Sequence, residues 1–188
     1  MAQPYKPYTE NEVLSFDDVL LVPQYCDIRS RLDTDVSTRL TKHINLQIPI
    51  VASNMPTVTG LEMVKRLTTL GGCAMFHRYI ETQTLIDETR KAGEDHVLYP
   101  IVISVGVKDD DKIKLESVMQ NQGCVDAVFI DIAHGHSVLM KEMIEHVRKN
   151  FPNLDIIAGN IATVEGMKFL CDLGVHAVRL GIGSGRDC

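Results

Sequence analysis

From residue 48 onward the chain alternates short apolar, β-branched runs with longer amphipathic stretches. The runs predict strands at Ile48–Ala52, Cys73–Phe76, Ile101–Val105, Ala127–Asp131, Ile156–Ala158 and Ala177–Leu180. None alternates cleanly with period two, as expected of parallel strands covered on both faces. The stretches between them predict helices at about 60–69, 82–92, 110–121, 137–150 and 163–173. Ser137 and Thr163 stand as N-caps, and Gly93, Gly123 and Gly174 sit where helices should stop. The acidic run Asp109-Asp110-Asp111 complements a helix N-terminus and needs no further role. Residues 8–47 are irregular instead: an apolar run, Asp18-Val19-Leu20-Leu21-Val22, is stopped by Pro23, and polar and apolar residues alternate from Ser30 to Leu40. Short strands or hairpins fit that segment better than helix.

Successive βα units in one direction form either a doubly wound open sheet or a (β/α)8 barrel. Nearly every strand ends on polar residues or glycine: Ser53-Asn54, His77-Arg78, Ser104 to Gly106, Asp131 with His134 and His136, and Gly159-Asn160. A barrel gathers such groups from all its strands around one mouth, whereas an open sheet uses one switch point. The expected fold is therefore an α/β (β/α)8 TIM barrel, incomplete, with about six of eight βα units. Residues 1–47 form an N-terminal irregular or hairpin segment packing on it, and residues 48–188 the partial barrel.

Composition narrows the function classes. A net charge of -6 argues against coating nucleic acid, and no apolar run approaches the roughly 20 residues of a membrane helix. The N-terminus lacks an apolar signal core and the five cysteines have no CxxC spacing, so a cytoplasmic location is expected. Cys26, Cys73, Cys124 and Cys171 read as small core residues.

The candidate chemistry lies at the strand ends. Leu180-Gly181-Ile182-Gly183-Ser184-Gly185-Arg186-Asp187-Cys188 is a glycine-rich loop that could wrap a phosphate, a monovalent cation or a ring. Cys188, among backbone donors at a barrel mouth, is the candidate nucleophile, or else an idle thiol. Arg186 could hold a phosphate or carboxylate, or be solvated. Asp131 would point into the mouth and accept from a ribose hydroxyl or an amide, while Asn54 and Asn160 would orient a ligand or satisfy loop backbone. His77-Arg78 reads as a cationic pair suited to a dinucleotide phosphate, against a simple salt bridge. His134 and His136, two apart on an irregular loop, make a poor metal site.

Five ordered segments resemble the signatures of the IMP dehydrogenase and GMP reductase family. They are Leu14 to Pro23, Ala52-Ser53-Asn54-Met55-Pro56-Thr57-Val58, Asp131-Ile132-Ala133-His134-Gly135-His136-Ser137, Ala158-Gly159-Asn160 and Gly181 to Cys188. The match is nearer the reductases, because only a helix and short loops separate Tyr79 from Tyr99, where the dehydrogenases usually insert CBS modules. The resemblance implies an NADPH-dependent oxidoreductase of purine salvage that converts GMP to IMP and ammonia through a Cys188 thioimidate. It implies cofactor contacts at Ser30, Arg31, Arg78, Asp131, Ile132, Ala133, Ile182 and Gly183, and substrate contacts at Ser53, Met55, Asn160 and Arg186. It also implies a potassium ion on backbone carbonyls of Gly183, Gly185 and Cys188, and a homotetramer when complete. No nucleic-acid or membrane partner is expected.

Two residues depart from the family pattern. Ser184 replaces a loop proline and loosens the backbone, and Asp187 puts a carboxylate where an apolar residue precedes the nucleophile, which disfavours a thiolate. The family's threonine two residues after the cysteine, its later phosphate loops and its acidic proton-transfer residue would follow position 188. The 188-residue chain alone is therefore expected to be inactive. The alternatives are an IMP dehydrogenase without CBS modules and a noncatalytic family member acting through partner binding.

Overall fold

A computed structural model describes residues 16–94, 100–121 and 124–182. A hairpin of β1 (Thr38–Arg39) and β2 (Asn45–Leu46) precedes a six-stranded parallel sheet. The sheet runs in chain order through β3 (Val51–Ala52), β4 (Cys73–Phe76), β5 (Val102–Val105), β6 (Ala127–Asp131), β7 (Asp155–Ile161) and β8 (Ala177–Leu180). Helices α1 (Leu61–Thr69), α2 (Thr82–Glu94), α3 (Asp109–Gln120), α4 (Val138–Asn150) and α5 (Val164–Asp172) fill the connections. The sheet curls into most of a (β/α)8 barrel, with β3 and β8 at its two edges.

Local chemistry accounts for the element ends. Ser137 and Thr163 accept backbone N–H bonds from Met140 (3.3 Å) and Gly166 (3.0 Å), capping α4 and α5. Gly174, at φ +70°, takes the left-handed turn that ends α5. Gly93 departs from expectation: it lies inside α2, which runs on to Glu94, and Gly123 lies outside the described residues. β3 is shorter than predicted because Pro49 has no N–H to give to a ladder, and Gln47 and Ile48 instead donate to Gly71 O.

Both faces of the central strands are buried, which is why the sequence shows unbroken apolar runs. Outward side chains such as Phe76, Ile103, Val128, Ile130 and Ile156 pack against Leu85, Leu115, Met140 and Ile144 of the helices. Inward side chains Met75, Val102, Ala127, Phe129 and Ile157 pack against Ile44 and Leu46 of the hairpin. The hairpin thus plugs the end of the barrel where the strands begin. Asp155, at the start of β7 and buried, ties it down by accepting from the Thr41 hydroxyl and from His43 Nδ1 (2.8 Å). His176 Nε2 lies 3.5 Å from the same carboxylate. Burial works to raise the Asp155 pKa, but the bonds from Thr41 and His43 and the neighbouring histidines outweigh it and hold the carboxyl below its ordinary value.

The cysteine expectation needs correction. Cys73 is buried, but Cys26, Cys124 and Cys171 are exposed. Cys171 lies beside the exposed Asp172 near the end of α5, and Cys26 in an irregular segment, which leaves both thiols at the surface. Among the described residues no helix is long and apolar enough to cross a membrane.

Candidate functional site

Inward positions recur at every second residue of a strand, so the last inward residue of each strand faces the mouth of the barrel. On β5, β6 and β8 these are Ser104, Asp131 and Arg179, and Gly159 of β7 lies level with them. Asn54, two residues beyond β3, completes the ring. Its Nδ2 donates to Asp131 Oδ2 (2.8 Å) and to Ser104 Oγ (3.1 Å), and its Oδ1 accepts from Arg179 Nη1 (2.9 Å). Arg179 Nη1 also lies 3.9 Å from Asp131 Oδ1, and the guanidinium sits 5.7 Å from the centre of the Phe129 ring. Gly159 makes room for this: a Cβ there would stand 2.7 Å from Arg179 Cβ and 2.8 Å from its carbonyl oxygen. A cavity of about 260 Å³ opens beside these groups, lined by Ser53, Asn54, Phe129, Ile157 and Arg179 among others.

The loop after β6 is laced to the end of β7. Ile132 N–H donates to Gly159 O (3.0 Å), Asn160 N–H to Ile132 O (2.7 Å) and Gly135 N–H to Asn160 O (2.7 Å). The backbone of Asn160 is thereby fully engaged, whereas its buried side-chain Oδ1 has no hydrogen-bond partner. A buried orphan acceptor at a barrel mouth suits a ligand N–H. Ser53 and Met55 sit on the loop after β3, where Met55 N–H donates to Ser53 O (2.9 Å) and the buried Thr59 hydroxyl donates to the same oxygen (2.6 Å).

The family model for the IMP dehydrogenase/GMP reductase domain matches residues 13–188. The chain belongs to the IMP dehydrogenase/GMP reductase family. It is 35% identical over 176 residues to a GMP reductase of Bacillus subtilis, covering 94% of this chain and 53% of that protein. A GMP reductase of Pediococcus pentosaceus is 32% identical over 177 residues, with 94% and 53% covered. One from Enterococcus faecalis is 33% identical over 177 residues with the same coverage. The chain spans about half the length of these curated relatives, 53% in each.

Of the residues that the family resemblance singles out, Asp131, Ile132, Ala133, Asn160, Ser53 and Met55 converge on the strand-end face. Arg78, after β4, lies across the loop that follows β5: a Cβ on Gly106 would meet Arg78 Nη1 at 2.9 Å and Asp111 Oδ2 at 2.5 Å. Arg78 also bonds the Tyr79 hydroxyl (2.9 Å) and stacks on that ring. Lys114 of α3 holds the loop after β4, donating to Arg78 O (2.8 Å) and to Ile80 O. Burial and then the Lys114 charge push the His77 imidazole pKa down, and its buried Nδ1 is unpartnered.

Ser30 caps a short 3-10 turn, Arg31–Asp33, by accepting from Leu32 N–H (3.2 Å), and both Ser30 and Arg31 are exposed. Ile182 is exposed after β8. Gly183, Gly185, Arg186 and Cys188 lie outside the described residues, as do Ser184 and Asp187. His136 packs on Phe169 with ring centres 4.8 Å apart, and among the described residues no three His, Cys, Asp or Glu side chains are grouped to hold a metal. Sequence reasoning missed Arg179 as a site residue. Its signal was a lone charge inside an otherwise apolar barrel strand. Asn54 spends both Nδ2 hydrogens and one acceptor site of Oδ1 within the protein.

Proposed function

We propose that this chain is the N-terminal part of a GMP reductase-like oxidoreductase, which uses NADPH to convert GMP to IMP and ammonia. The observation that carries this reading is the laced pair of strand ends: backbone bonds tie the loop after Asp131 to the end of β7, where Asn160 carries an orphaned side-chain acceptor, in a member of this family. The donor set fits both ligands. Asp131 suits ribose hydroxyls or a carboxamide, Arg78 suits a dinucleotide phosphate, and Asn160 Oδ1 suits a purine N–H. Ser30, Arg31, Ile132, Ala133, Ile182 and Gly183 complete the cofactor contacts, and Ser53, Met55 and Arg186 those of the nucleotide. Gly183, Gly185 and Cys188 would hold the potassium ion by backbone carbonyls. Residues 1–47 pack on the barrel as a separate segment, the completed protein is a cytoplasmic homotetramer, and it binds neither nucleic acid nor membrane.

In this reading the Cys188 thiolate forms a bond to C2 of GMP, and the C2–amino bond breaks to release ammonia. NADPH supplies hydride to C2 when bound. The C–S bond then breaks and returns the thiolate, so GMP, NADPH and two protons give IMP, NADP⁺ and ammonium. Asp131 and Arg78 would hold the cofactor, and Asn160 would bond the purine ring.

The test is turnover by this chain joined to the C-terminal portion of the Bacillus subtilis GMP reductase. GMP-dependent NADPH oxidation that is lost in Cys188→Ala supports the proposal. NAD-dependent oxidation of IMP instead would favour an IMP dehydrogenase lacking CBS modules. The 188-residue chain alone is expected to show no sustained turnover, and activity without the added portion would overturn that expectation.

A further inference from the structure

We propose that Asn54 is a positioning residue that holds Asp131 and Arg179 apart, so that both stay available to a ligand at the barrel mouth. The inference rests on the reading above for its functional consequence, but its geometry stands independently. Asn54 is 7% exposed and makes three side-chain bonds, to Asp131, Ser104 and Arg179. Its orientation is dictated by charge: reversing the amide would point its NH2 at a guanidinium and its oxygen at a carboxylate.

The bridge prevents a closer pairing. Arg179 Nη1 stands 3.9 Å from Asp131 Oδ1, beyond hydrogen-bond range, while both bond to the same carboxamide between them. Remove the carboxamide and nothing on the described mouth opposes a direct, forked ion pair, which closes to about 2.8 Å. Such a pair would spend the second carboxylate oxygen of Asp131 and guanidinium hydrogens of Arg179, which lines the cavity. Asn54 therefore keeps a carboxylate and a cation poised without letting them satisfy each other. Ser104 and Phe129 serve this arrangement from below, the first as the second acceptor of Asn54 Nδ2 and the second as the platform of the guanidinium.

The experiment uses Asn54→Leu, which keeps volume and removes every bond, and Asn54→Asp, which keeps the shape and the acceptor for Arg179 but loses the donor to Asp131. Crystal structures of the variants are the first readout. In Asn54→Leu the Arg179–Asp131 separation should shorten to hydrogen-bond distance; a separation still near 3.9 Å overturns the inference. Calorimetric titration of the chain joined to the C-terminal portion of the Bacillus subtilis GMP reductase is the second readout. Both variants should bind NADPH about tenfold more weakly, the weight of one bond to a charged group, with GMP affinity changed by less than about twofold. Equal losses for both ligands would mark a merely structural role and overturn the inference. If the joined wild-type protein binds no NADPH, the function proposed above fails, while the Arg179–Asp131 distance in Asn54→Leu still decides the positioning role. Should Asn54→Leu not fold, Asn54→Ala, which also removes every bond, carries the same two readouts.

Discussion

Replacing Asp155 by alanine tests the view that a buried carboxylate anchors the hairpin plug. The Thr41 hydroxyl bonds Asp155 in a dry environment and also accepts from Ile44 N–H (3.0 Å), so losing it disturbs the hairpin turn itself. A hydrogen bond to a charged group contributes about 1.5 kcal/mol or more, and the bond from His43, whose side chain is 62% exposed, rather less. We expect Asp155→Ala to lower stability by about 3 kcal/mol, read by urea unfolding followed by circular dichroism. The pH profile supplies a second signature. The folded-state carboxyl titrates below its unfolded value of about 3.9, so its contribution is present above that pH and is lost as pH falls through the depressed folded value. Wild-type protein should therefore lose stability in that acid range more steeply than Asp155→Asn. A stability change of less than about 0.5 kcal/mol in Asp155→Ala, with parallel acid profiles, would refute the anchor.

Two further outcomes follow from the packing. Gly159→Ala should lower stability by about 2 kcal/mol in thermal unfolding, because its methyl group would lie 2.7 Å from Arg179 Cβ and β8 would have to move; an unchanged midpoint would contradict the close approach. Burial, reinforced by the charge of Asp126, pushes the Cys73 thiol up to about 12, so iodoacetamide at neutral pH should label Cys26, Cys124 and Cys171 and spare Cys73. Mass spectrometry of the folded chain reads the difference, and rapid labelling at Cys73 would refute it.

The barrel was legible because its strands are buried on both faces and its helices carry capping residues. Ser137 and Thr163 cap where the sequence places them, and four of the six barrel strands match to within a residue at each end: β4, β5, β6 and β8. β3 and β7 were misjudged for identifiable reasons. Pro49 shortens β3, and β7 runs on through the polar residues Gly159 and Asn160, which looked like a loop. The mouth was legible as a collection of strand-end polar residues, yet not as a network. Sequence spacing does not reveal that Asn54 and Arg179, 125 positions apart, share a bond, nor that Lys114 comes near enough to His77 to help push its pKa down. The Asp155 anchor escaped notice too, since an aspartate preceding a β-branched run reads as a loop residue until a hairpin closes over it.

The proposed function requires this barrel mouth, completed by a C-terminal portion, to bring GMP and NADPH together for hydride transfer to C2 of the purine. The most direct measurement is mass spectrometry of the product formed from NADPH carrying deuterium at the transferred position, with the chain joined to a reductase C-terminal portion. The account predicts IMP carrying the deuterium at C2, with ammonium released in equal amount. Deuterium absent from IMP, or IMP consumed with NAD reduced, would contradict it.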